Sequence, residues 1–140
     1  MIAAYPDLNV RKFKEAMVFS PRALERIGEQ LLALGVPLLN RMDPMRVAEE
    51  IAYVDVLSRG RLEVGLIKGS TFELYVSNAH PVTATRRYWE AHDMIKAALT
   101  HTDGPFSWES ENFNYRHVNV WPRCYQQPHP PVWSTTGSTQ

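Results

Sequence analysis

The chain has 140 residues, 44% of them hydrophobic and 21% charged, which is the make-up of a soluble globular domain. Fifteen basic residues cancel fifteen acidic ones, so no net field draws the chain to nucleic acid or an anionic membrane. With one cysteine, Cys124, there is no internal disulfide and no cysteine-based zinc site, and a cytoplasmic setting is expected.

Residues 1–30 form a divergent N-terminal segment, and residues 31–140 carry the readable pattern. The start lacks the basic and apolar blocks of a secretion signal, and no run nears the roughly 20 apolar residues of a membrane span. Within the first segment a short helix is expected over Asn9–Phe19. A second follows Ser20-Pro21, with Leu24, Ile27 and Leu31 on one face. Leu32 to Leu39 is an apolar run that suits a strand covered on both faces, with Pro37 marking a bulge or a distorted end.

Asp43 and Pro44 form a helix start, as N-cap and first-turn proline. Val47, Ile51 and Val54, with Ala48 and Ala52, make the buried stripe, and Gly60 is expected to supply the left-handed residue that ends the helix. Alternation then predicts a strand of about six residues, with Leu62, Val64 and Leu66 on one face and Glu63, Gly65 and Ile67 on the other. Strand, helix and strand make a βαβ unit and hence a parallel sheet. A helix over Thr83–Leu99 buries Ala84, Tyr88, Ala91, Ile95 and Ala98. Phe106–Trp108 and Phe113–Tyr115 flank a polar tip and read as a short hairpin. Pro122 to Pro131 reads as an extended surface connector, and Val132 to Thr135 as a further strand.

Three segments carry a family resemblance. Asp43-Pro44 leads through an alanine-glutamate helix to Leu57-Ser58-Arg59-Gly60-Arg61 and the strand ending at Gly69-Ser70. Phe106 to Tyr115 is similar to a family hairpin, with Ser110 where glycine is usual. Gln126-Gln127-Pro128-His129-Pro130-Pro131-Val132-Trp133 resembles the entry into the next strand. In this order they resemble the bacterial-luciferase-like flavin-dependent monooxygenases. The resemblance implies an α/β fold, part of a (β/α)8 TIM barrel: about strands three to five, with a short β-hairpin insertion. Such barrels run to about 250 residues, so a fragment or a truncated relative is expected.

In a parallel barrel the chemistry lies at the C-terminal strand ends. By position in the family, Gly35 and Val36 are candidates to lie under a flavin ring; a glycine kept for close packing is the competing reading. Lys68 and Gly69 stand where relatives meet the flavin phosphate, a place for a fixed cation beside a glycine that permits close approach. A solvated lysine is the alternative there. Gly137 and Ser138 form a third strand end, of the glycine-then-hydroxyl kind that suits an anion. Tyr88 reads as core. The five histidines show no metal-ligand spacing, so no metal site is expected.

The activity implied is oxidation of a small organic substrate by reduced FMN and O2 through a peroxyflavin, with the FMN supplied by a separate flavin reductase. No catalytic residue is assigned. An F420-dependent oxidoreductase of the same superfamily is the first alternative, and a truncated, non-catalytic flavin-binding protein is the second. The open sheet edges of a partial barrel favour a homo-oligomer.

Overall fold

The computed structural model describes residues 32–37, 43–77 and 80–134; the helices expected before Leu32 lie outside them, as do Gly137 and Ser138. The described residues form five strands and three helices: β1 (Leu32–Pro37), α1 (Pro44–Ser58), β2 (Leu62–Ile67), α2 (Thr71–Val76), α3 (Pro81–Thr100), β3 (Phe106–Glu109), β4 (Asn114–Val118) and β5 (Val132–Ser134).

Three of the strands form a parallel sheet in the order β1-β2-β5. Leu32 lies opposite Leu62 and Pro37 opposite Ile67, while β5 pairs Val132 with Val64 and Ser134 with Leu66. The βαβ unit is therefore present. Pro37 is the last residue of its strand, where a missing ladder donor costs least.

The alternation in β2 sets its burial. Leu62, Val64 and Leu66 are 1%, 0% and 0% exposed, whereas Glu63, Gly65 and Ile67 are half-buried. The buried face shares one core with Val47, Ile51 and Ala52 of α1 and with Ala84, Tyr88, Ala91 and Ile95 of α3. Burying side chains of this size contributes roughly 1.5–3 kcal/mol each, which makes this helix-on-sheet layer the main source of cohesion.

Helix α1 starts as the sequence predicts. The Asp43 carboxylate accepts from the Met45 amide at 3.0 Å, and Pro44 occupies the first turn. Its end also follows the expectation: Gly60 is left-handed, φ 79°, and the C-cap residue Arg59 before it is left-handed as well, φ 55°. Two left-handed residues in succession turn the chain back toward β2.

The antiparallel hairpin β3–β4 pairs Trp108 with Tyr115 and Glu109 with Asn114. Its register slips between Phe106 and Trp108, and His117 opposite takes φ 55°, the local geometry of a bulge. Ser110 closes the tip. Its hydroxyl donates to the Phe113 carbonyl at 3.0 Å and accepts from the Phe113 amide at 3.2 Å.

The connector from Pro122 to Pro131 departs from the extended surface segment expected for it. Cys124 and Pro130 are buried within it, and Gln126 is bonded into the helical layer. The physical reason is a buried charge. Asp55, 0% exposed near the end of α1, needs donors, and the connector brings them.

Candidate functional site

The C-terminal end of β2 carries Ile67-Lys68-Gly69-Ser70 and passes directly into α2. Lys68 is exposed and has no ion-pair partner among the described residues. Gly69 adopts φ 97°, a conformation that a side chain resists, so the turn out of the strand depends on glycine here. Ser70 is the N-cap of α2. Its backbone amide donates to the Glu73 carboxylate, and hydrogen bonds from the Ser70 backbone and hydroxyl hold that carboxyl below its usual pKa.

Helix α2 is an element that sequence reasoning missed. Six residues are too few for a hydrophobic period to show, although the Ser70-x-x-Glu73 spacing is a helix-start signal. Leu74 packs into the core at 7% exposure. Phe72, Tyr75 and Val76, at three- and four-residue spacing, are 84%, 68% and 87% exposed and form a bare apolar face beside Lys68 and Gly69.

On the neighbouring strand, Gly35 and Val36 separate. Val36 is 8% exposed and belongs to the core, so its side chain is on the helix side of the sheet with Leu66 opposite it. Gly35 is exposed, pairs with Gly65, and a methyl group added there would meet no atom within 4 Å. Trp133 of β5 lies on the far side of Gly65, with its indole N–H donating to Glu63 at 3.1 Å. The open face of the sheet thus has a glycine pair bordered by an exposed indole.

Gly137 and Ser138 fall beyond the described residues. The strand that precedes them in the chain, β5, is the direct neighbour of β2. Among the described residues no cluster of three histidine, cysteine or carboxylate side chains could hold a metal. No described helix is long and apolar enough to cross a membrane.

A second polar centre lies at the other end of β2. The Asp55 carboxylate accepts from the Gln126 backbone amide and from its side-chain amide, each at 2.8 Å. The same side-chain nitrogen donates to the Leu62 carbonyl at 2.8 Å. Cys124 sits nearby; burial first, and then the charge of Asp55, push its thiol up to about 11. That removes it as a nucleophile near neutral pH. This centre is closed: the Asp55 side chain is fully buried and its oxygens accept from Gln126.

Comparison with known proteins agrees with the architecture. The family model of luciferase-like monooxygenases matches residues 25–140. The chain is 33% identical over 120 residues to the protein y4wF of Sinorhizobium fredii, a match covering 85% of this chain and 34% of that one. It is 28% identical over 90 residues to the oxygenase component of the flavin-dependent trigonelline monooxygenase of Acinetobacter baylyi, covering 64% and 25%. Among solved structures, the monooxygenase RslO1 of Streptomyces bottropensis superposes with a TM-score of 0.65 at 24% identity, covering 75% of this chain and 31% of that one. An F420-dependent secondary alcohol dehydrogenase superposes at 0.69 and 18% identity, covering 81% and 34%. The chain therefore spans a quarter to a third of the length of these relatives. The match over residues 25–140 nevertheless takes in both the parallel sheet and the hairpin, and the chain belongs to the luciferase-like monooxygenase family.

Proposed function

We propose that the chain forms part of a flavin-dependent monooxygenase that uses reduced FMN and O2 to oxidise a small organic substrate. The observation that carries this reading is the end of β2. An exposed ammonium at Lys68, unpaired among the described residues, stands beside a glycine at φ 97°, in a family whose relatives include a flavin-dependent oxygenase. A phosphate gains most from a fixed cation with backbone close by, and Gly69 leaves the room for that approach. The fit has one boundary. The Ser70 amide is already occupied by Glu73, so Lys68 and the Gly69 backbone are the part of this turn left for an anion, with Gly137 and Ser138 proposed to complete it.

When bound, the flavin supplies the electrons and the oxygen activation; the chain's own residues bind, orient and exclude water. Gly35 and Gly65 leave a flat stretch of sheet on which a planar ring can lie without meeting a Cβ. The apolar face of α2, formed by Phe72, Tyr75 and Val76, is exposed at the helix that follows this strand end and offers apolar surface to a bound ligand. Because the Acinetobacter relative is an oxygenase component, a separate flavin reductase is the corresponding partner here.

The test is titration of the chain with FMN and with riboflavin, which lacks the phosphate. FMN should bind more tightly, and Lys68→Ala should weaken FMN binding about tenfold, the scale of one charge-assisted contact, while leaving riboflavin unchanged. Equal affinity for both ligands in the unaltered chain sinks the reading. F420 dependence is the second reading, supported by the superposition on the alcohol dehydrogenase. Whichever cofactor raises the melting temperature decides between them.

A further inference from the structure

Tyr88 enters the core from the first half of α3, and its ring is 2% exposed. Trp89 meets the ring edge-on with centroids 5.0 Å apart, and His92 lies one turn further along at 6.4 Å, so the ring is held from its own helix. Its hydroxyl donates to the backbone carbonyl of Leu66 at 2.7 Å.

The position of that carbonyl gives the bond its interest. Leu66 lies opposite Val36 on β1 and opposite Ser134 on β5. This row is the last described one to cross all three parallel strands. Lys68 follows two residues later, and the proposed anion contacts begin there. A phenyl ring would fill the same volume and bury nearly the same apolar area. An apolar contact tolerates sliding by fractions of an ångström, whereas a short O–H···O=C bond fixes both depth and direction. The buried hydroxyl also needs an acceptor, so helix and strand are tied at one point.

We propose that Tyr88 is a positioning residue for the β2 end: its hydroxyl fixes Leu66 so that the Lys68 ammonium and the Gly69 backbone face an anionic ligand together. The inference rests on the reading of Lys68 and Gly69 as an anion site, but its first test does not.

That first test is hydrogen exchange in the 140-residue chain, comparing Tyr88→Phe with the unaltered protein. Amides from Ile67 to Ser70 should exchange about fivefold faster, while those of α1 stay within about twofold. Uniform acceleration, which a merely global loss of stability produces, overturns the proposal, as does no change at all. The second test is ligand titration of the same variant. The FMN dissociation constant should rise about fivefold, the scale of one lost neutral hydrogen bond, with riboflavin affected less than FMN. Equal weakening of both ligands shows a packing defect and overturns the proposal. If Lys68→Ala leaves FMN affinity unchanged, the anion-site reading fails. The exchange result at Ile67–Ser70 then still decides whether Tyr88 fixes the strand end.

Discussion

Where β2 begins, the Leu62 carbonyl, the Asp55 carboxylate and the Gln126 amides close a buried polar cluster at 2.8 Å separations. Where it ends, six residues on, an exposed lysine, a left-handed glycine turn and the bare face of α2 meet solvent. One strand therefore joins a closed end, whose polar groups are used up by the fold, to an open end, whose polar and apolar groups are left for something else. On the function proposed above, stability and ligand binding fall at opposite ends of a single strand of six residues. Substitutions at the two ends should consequently report different things, and four of them put this to the test.

The largest effect is expected at Asp55. Asp55→Ala leaves the Gln126 backbone amide and one N–H of its side chain without their acceptor in a buried layer. Each buried donor left without its acceptor costs about 1–3 kcal/mol, and Asp55 accepts from two of them. Urea unfolding followed by far-ultraviolet circular dichroism should show the midpoint collapse. Asp55→Asn keeps one acceptor oxygen and should cost about half as much. If Asp55→Ala is tolerated within about 1 kcal/mol, the closed end is not the structural anchor described here.

Gly60→Ala comes next. A Cβ there would lie 2.8 Å from Cδ1 of Tyr125 and 3.3 Å from Cγ of Gln126, on a backbone with φ 79°. The left-handed conformation alone costs about 1–2 kcal/mol for a residue with a Cβ, and displacing Tyr125 adds to it. Because Tyr125 is exposed and can swing outward, a total near 2 kcal/mol is expected from the same unfolding measurement.

The third is a pH effect at the closed end. Burial and then Asp55 raise the Cys124 thiol from 9.0 to about 11. A raised pKa means that the folded chain keeps a proton the unfolded chain releases. The stabilisation is therefore complete below pH 9 and is lost progressively as pH rises from 9 toward 11. Each proton linked in this way changes stability by about 1.4 kcal/mol per pH unit. Moving from pH 8 to pH 10 should thus lower stability by about 1 kcal/mol, and Cys124→Ala should remove that part of the slope. Tyr115, raised by burial and by its bond to Asp43, adds a further loss only above pH 10. An unchanged alkaline slope in Cys124→Ala would falsify the assignment.

The two ends also differed in how far the sequence disclosed them. Asp43-Pro44, the alternation from Leu62 to Ile67 and the stripe Ala84, Tyr88, Ala91, Ile95 and Ala98 are local signals, each set by a cap or a period, and each reappears in the structure. The closed end is built from residues 71 positions apart, Asp55 and Gln126, and no local pattern records such a pairing. One clue was present: Asp55 lies four residues after Ile51, on the buried stripe, where an unpaired carboxylate does not belong. Helix α2 left only its Ser70–Glu73 spacing. Val36 illustrates the opposite limit. Position in a family pattern made it a site candidate, while its parity with Leu66 places its side chain in the core.

The smallest expected effect on stability is at the open end, and it is the most informative. Lys68 is exposed and unpaired among the described residues. Lys68→Ala should therefore change the unfolding free energy by less than about 0.5 kcal/mol. A lysine that merely solvates a loop predicts the same stability result, so stability alone cannot separate a ligand contact from a bystander. Salt separates them. If Lys68 meets a phosphate, the FMN affinity of the unaltered chain should fall with ionic strength, and Lys68→Ala should reduce that dependence. Riboflavin, without the phosphate, should show no such dependence in either protein. A salt response unchanged by Lys68→Ala moves the anion contact elsewhere, and leaves Gly69 as a turn residue with no part in binding.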